Sequence, residues 1–110
     1  MKVRKISEMV NGWFVGDFEP NVLRTSEVEI GIKRFFAGEQ DPVHFHKVAT
    51  EISVIISGKA RINGQTVGEG DIVIIDPNEV TDFRALTDVL LTAVKIPGEK
   101  NDKYLVEQDG

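Results

Sequence analysis

Only two histidines occur in this chain, and they stand two residues apart, as His44 and His46. On an extended backbone residues i and i+2 share a face, so both imidazoles can be presented to one point, as ligation of a divalent metal requires. Glu51 follows at an odd offset and would face the other way on an unbroken strand. Residues 47–50 are therefore expected to turn the chain, so that Glu51 opens a second, antiparallel strand over 51–57 that Gly58 closes. With no cysteine in the chain, any metal must rest on imidazole and oxygen. Two histidines and one carboxylate on one side of an ion leave positions open for water, substrate or O₂, and zinc, nickel, iron and manganese all accept such donors. Neutral imidazoles with an ionised carboxylate leave a formal site charge of about +1, which favours chelating or anionic oxygen ligands such as hydroxy-acids, keto-acids or sugars. Without a metal, the same histidines would instead serve as the partners that keep a buried Glu51 charged.

The elements that must position these residues read as strands separated by turns. Residues 28–36 are rich in β-branched and aromatic side chains and end at Gly38. Strands over 43–47 and 51–57 carry the candidate ligands. Asn63-Gly64 lies between two short alternating segments, a strong hairpin signal. The nearly continuous apolar run 71–76 reads as a strand buried on both faces, and strands over 80–86 and 89–96 complete the series. Such closely spaced strands predict an all-β sandwich or barrel. Residues 2–9 have a weak helical spacing that Asn11-Gly12 would end. The polar stretch 99–110 is expected to dock through Tyr104, Leu105 and Val106 as an arm whose last residues fray.

With 110 residues and a net charge of −5, the chain forms one domain, burying about 60 to 70% of its unfolded surface, and its scattered basic residues argue against nucleic acid and anionic membranes. The start has no apolar run long enough for a signal peptide or a membrane span, and cysteine is absent, so a cytoplasmic location is expected.

The pattern Gly38, His44, His46, Glu51, Gly58 resembles the first signature of the cupins, Gly-x5-His-x-His-x4-Glu-x6-Gly. The resemblance implies a double-stranded β-helix, or jelly-roll barrel, with a core over 28–98, an N-terminal segment 1–27 packed on it and a C-terminal arm 99–110. It also implies that His44, His46 and Glu51 bind a divalent metal inside the barrel with one histidine from a second signature. That second signature is half present. Gly70 matches its opening, whereas Asp76, Asn78 and Thr81 stand where proline, glycine and histidine are usual. Asn78 suits the turn, because asparagine tolerates positive φ. Thr81 and Asp82 are the candidates for the fourth ligand or pocket wall; Thr81 is a weak neutral donor, and Asp82 faces away unless a bulge shifts the register.

The resemblance permits several functions. One is a metal-dependent enzyme acting on a small polar metabolite, in the manner of a sugar or keto-acid isomerase or epimerase, with Glu51 as the catalytic group. Others are a non-catalytic, metal-free small-ligand binder and an iron-dependent dioxygenase. Ser53 shares the Glu51 face and, with Phe83, is a candidate substrate contact. Trp13, Phe14, Phe18, Phe35, Phe36 and Phe45 are core or pocket residues. Arg34 and Arg61 are anion-binding candidates whose simpler role is solvated surface charge, and Tyr104 is expected to close the core. Strand 28–36 is long and apolar enough to need covering if it lies at an edge, which points to a homodimer.

Overall fold

Alternation of side chains produces ten strands with a single short helix in residues 1–107, the part of the chain that the structure, a computed structural model, describes. The strands are β1 (Trp13–Val15), β2 (Glu29–Phe35), β3 (Gln40–Phe45), β4 (Thr50–Ser57), β5 (Lys59–Ile62), β6 (Gln65–Gly68), β7 (Ile72–Ile75), β8 (Thr81–Ala85), β9 (Val89–Ile96) and β10 (Tyr104–Leu105). A 3₁₀ turn, Ile6–Glu8, replaces the helix expected over 2–9. Two antiparallel five-stranded sheets result, in the orders β1-β2-β9-β4-β7 and β10-β3-β8-β5-β6. They pack face to face as a double-stranded β-helix.

The turns are set by residues that accept left-handed backbone. Asn63 and Gly64 have φ of 48° and 80° and close the β5–β6 hairpin. Gly58 has φ of 89°, and a Cβ there would lie 2.0 Å from the Asp88 carbonyl oxygen, so the β4-to-β5 corner accepts glycine alone. Asn78 takes φ of 68° where glycine is usual, and its N–H donates to the His46 carbonyl at 2.6 Å. The degenerate second signature thus still makes its turn.

Ile55, Ala60, Ile62, Phe83, Ala85, Val89, Leu91 and Ala93 form the buried core between the sheets. Phe35 joins it, its ring centroid 4.5 Å from that of Phe83. A cavity adjoins this core, and Ile62, Phe83, Leu91 and Ala93 line both.

Several expectations are corrected. Strand β2 is not an edge, because β1 pairs with it on one side and β9 on the other. Strand β7 is an edge strand and is buried on one face only: Ile75 is covered, whereas Ile72 and Ile74 are 61% and 60% exposed. Sequence alone cannot tell a doubly buried run from an edge strand with an apolar outer face. Both terminal segments also enter the sheets, so the barrel extends beyond 28–98 through β1 and β10. Tyr104 does not close the core. It stacks outside on Phe45, at 5.4 Å between centroids, with the Lys47 ammonium 4.2 Å from its ring. Leu105 is exposed, Val106 is half-buried and its N–H donates to the Val43 carbonyl; the arm therefore docks through backbone pairing with β3, and its expected frayed tip lies outside the described residues.

Candidate metal centre

His44 lies on β3 in one sheet, His46 just beyond its end, and Glu51 near the start of β4 in the other sheet. The turn at 47–50 makes the sheet change. It is held by a residue that sequence reasoning missed, Asp102, which is 6% exposed. Its carboxylate accepts hydrogen bonds from the N–H groups of Lys47 (2.9 Å), Val48 (3.1 Å) and Ala49 (2.8 Å). Burial pushes the Asp102 pKa up, but those three backbone donors and His46 outweigh it, and the net shift is downward. The residue lies in a polar C-terminal stretch where nothing in the sequence distinguishes it from its charged neighbours. A carboxylate that caps a distant turn leaves no local pattern.

Both imidazoles have a fixed tautomer. His44 Nδ1 is 2.7 Å from the Pro42 carbonyl oxygen and His46 Nδ1 is 2.8 Å from that of Asp102. A carbonyl only accepts, so each Nδ1 carries the proton and each neutral ring keeps its lone pair on Nε2. The rings meet edge-on, 5.2 Å apart and inclined by 80°. His46 Nε2 is buried without a hydrogen-bond partner among the described residues. Its nearest carboxylate oxygen, on Glu51, is 4.0 Å away, too long for a hydrogen bond. Burial holds the His46 pKa below the ordinary histidine value, Lys95 and His44 add to that, and Glu51 and the Asp102 carbonyl oppose it. Burial thus disfavours a histidinium at His46, and the 4.0 Å gap to Glu51 leaves no close ion pair between them, which weakens the metal-free reading of the cluster.

The donor set fits a divalent cation. One ligand atom from each of His44, His46 and Glu51 lies within 4.8 Å of the others. Donors held at about 2.1 Å from one ion are about 3 to 4 Å apart, so a small side-chain rotation completes the set. A buried acceptor nitrogen with no partner is costly unless something binds it, and a metal ion supplies that partner.

His44 and Glu51 border a cavity of about 270 Å³, to which Ser53, Thr81 and Phe83 also contribute, whereas His46 borders a neighbouring cavity with Asp102. Thr81 is buried and sits opposite His44 in the β3–β8 register. Asp82 is corrected as a ligand candidate: it is exposed, and its carboxylate accepts the Asn63 N–H at 2.7 Å outside the barrel. The register shift that does occur here lies on β3, between Asp41 and His44, and leaves the alternation of β8 intact. Arg34 and Arg61 are exposed, and neither borders this cavity. The cationic residues that do are Lys33, Lys95 and Lys103, beside Trp13 and Asp41. Their signal was strand parity, since Lys95 shares a face with the apolar Leu91 and Ala93.

No protein-family model and no curated protein matches this sequence. Solved structures do match. An uncharacterized conserved protein with a double-stranded β-helix domain from Klebsiella pneumoniae superposes with a TM-score of 0.73 at 21% identity, over 97% of this chain and 93% of that one. The DMSP lyase DddQ from Ruegeria pomeroyi gives 0.75 at 19% identity, over 89% of this chain and 51% of that one, so this chain spans about half its length. An RmlC-like cupin from Shewanella frigidimarina gives 0.57 at 16% identity, over 70% and 82%. These likenesses show the fold: this chain is a double-stranded β-helix, the fold of the cupin-like neighbour.

Proposed function

We propose that this chain is a metal-dependent enzyme that acts on a small polar metabolite, a sugar or keto-acid, by moving a proton in an isomerase- or epimerase-like reaction. The observation that carries this reading is the partnerless Nε2 of buried His46 beside Glu51 at one end of the barrel, with His44 and Glu51 lining the 270 Å³ cavity. A divalent cation bound there, whether zinc, nickel, iron or manganese, supplies Lewis-acid polarisation of a substrate oxygen. His44 and His46 hold it through Nε2, with Pro42 and Asp102 fixing both rings. Glu51 would complete that ligand set, and its carboxylate is the group that would take or return the substrate proton. The Ser53 hydroxyl and the Phe83 ring contact the substrate, and the apolar side chains of Ile75, Phe83 and Leu91 keep bulk water from that wall. The lyase name of the Ruegeria neighbour is in keeping with eliminative or proton-transfer chemistry on this fold, although fold alone does not decide function.

The test is incorporation of solvent deuterium into a panel of aldoses, ketoses and keto-acids. Exchange that requires added metal and is lost in Glu51→Gln supports the proposal. Absence of exchange from metal-loaded protein overturns it, and O₂ consumption that requires Fe(II) would replace it by a dioxygenase.

The protein is further proposed to work in the cytoplasm as a homodimer. No helix of the described residues is long and apolar enough to cross a membrane. Strands β4, β7 and β9 present Ile52, Val54, Ile56, Ile72, Ile74 and Val94 on the outer face of their sheet, where β2 adds the charged Arg34 opposite Leu90. Such a face beside an edge strand is self-complementary to a second copy across a two-fold axis.

A further inference from the structure

One wall of the cavity holds two lysines that the fold itself does not use. Lys33 on β2 and Lys95 on β9 point inward, at positions where a jelly roll ordinarily buries apolar side chains. Three ammonium groups, those of Lys33, Lys95 and Lys103, face the cavity with two carboxylates, Asp41 and Glu51. Asp41 is engaged by Lys103 at 3.5 Å, and Glu51 belongs to the metal-ligand set. Lys95 has Glu29 and Glu51 as its register partners on the flanking strands, yet no carboxylate of the described residues lies within 4.0 Å of either Lys95 or Lys33.

What the two lysines share is Trp13. The Lys95 ammonium is 4.7 Å from the indole ring and that of Lys33 is 5.4 Å from it. The indole is fixed because it lies directly on Gly31, where an added Cβ would sit 2.7 Å from the ring. Both cations are thereby held in place on one aromatic plate without being neutralised. Lys95 is directly opposite Glu51 in the β4–β9 register, and adjacent strands are about 4.8 Å apart, so the Lys95 backbone stands one strand from that candidate ligand while both residues line the same cavity. Asp41, Glu51 and Glu29 attract these half-buried charges from a distance but make no direct ion pair with them, which leaves the ammonium groups free to engage a ligand.

We propose that Lys33 and Lys95, seated on Trp13, form a carboxylate-binding subsite, so that the metabolite taken by this cavity is a small organic acid and not a neutral sugar. This rests on the metal-site reading for the far end of the ligand, where hydroxyl or carbonyl oxygens meet the cation. At the near end the acid's carboxylate accepts hydrogen bonds from the two ammonium groups. The lysines act in binding and specificity.

The proposal is tested by calorimetric titration of the protein with malate, a small hydroxy-acid, and with erythritol, a neutral polyol of similar size, with metal content measured on the same samples. Malate is expected to bind and erythritol not. Lys33→Met and Lys95→Met should each weaken malate binding by about tenfold, as expected for loss of one charge-assisted contact, with metal content unchanged. Thermal unfolding midpoints should not fall, because a lysine that only braced Trp13 would cost stability when replaced. Equal binding of erythritol, no binding of malate, or unchanged malate affinity in both variants overturns the subsite. Metal-free protein that still takes malate through the lysines keeps this proposal and overturns the metal reading. Metal-loaded protein whose malate affinity ignores the lysines does the reverse.

Discussion

The two sheets of this barrel share one core but differ on their outer faces and in what they lend to the cavity. In the β10-β3-β8-β5-β6 sheet, Ala60, Ile62, Phe83 and Ala85 face inward, and Lys59, Arg61, Asp82 and Arg84 face water. This is the arrangement expected of a sheet with one solvated face. In the β1-β2-β9-β4-β7 sheet, Lys33, Glu51, Ser53 and Lys95 face the cavity, and Ile52, Val54, Ile56, Ile72 and Ile74 face outward. This sheet thus lends polar residues to a chamber beside its own core residues Ile55, Val89, Leu91 and Ala93, and also turns apolar residues to its outer surface. The difference teaches that inward parity in this protein marks two things, core and, beside it, chemistry. The candidate metal ligands bridge the two sheets, with His44 on β3, His46 just beyond its end and Glu51 on β4 of the other sheet.

The largest effect is expected where the sheets are joined. Asp102→Ala leaves three backbone N–H groups of the turn without their acceptor, at a cost of about 3 kcal/mol in unfolding free energy, and metal affinity should drop by about 10- to 100-fold as His46 loses its orienting carbonyl position. Because the Asp102 pKa is lowered in the folded state, its stabilisation is complete above the ordinary aspartate value of 3.8 and is lost as pH falls through the folded value. Denaturant titrations below about pH 4 should therefore show a steeper loss in the natural protein than in Asp102→Asn.

Next in size is the contrast between outer faces. Ile72→Lys with Ile74→Lys should weaken self-association by about 100-fold or more in sedimentation velocity, as charges enter an apolar interface. Arg61→Ala with Arg84→Ala, on the other sheet, should leave both association and stability unchanged to within about 0.5 kcal/mol. Equal behaviour of the two pairs would erase the distinction between the sheets.

Gly31→Ala tests the inner face. The new methyl group meets the Trp13 ring at 2.7 Å and must displace it, at a cost of about 1 to 3 kcal/mol. Since Trp13 is the one tryptophan of the chain, its fluorescence should report the shift. The smallest effect belongs to the outside of the other sheet, where Tyr104→Ala removes the stack on Phe45 and should cost about 1 kcal/mol with metal content intact.

The sequence displayed most of this organisation, and its silences have physical causes. His44, His46 and Glu51 were legible because metal ligation demands close spacing on consecutive strands. The Asn63-Gly64 hairpin was legible because positive φ restricts residue type. Asp102 was not, since its three bonds reach back more than fifty residues. The edge position of β7 was hidden because an apolar run looks the same whether its second face meets a sheet or a partner. Lys33 and Lys95 were overlooked because a lysine in a strand reads as solvated until the parity of its neighbours is compared with the barrel interior.

The central claim, that His44, His46 and Glu51 form a metal centre, is tested most directly by the metal content of untagged protein after dialysis against metal-free buffer, compared with His44→Ala and His46→Ala. The account predicts about one divalent ion per chain in the natural protein, or uptake to that level when zinc, nickel, iron or manganese is supplied, and loss of binding in both variants while the fold persists. A natural protein that carries no metal and takes none up, or variants that bind as much as it does, would contradict it.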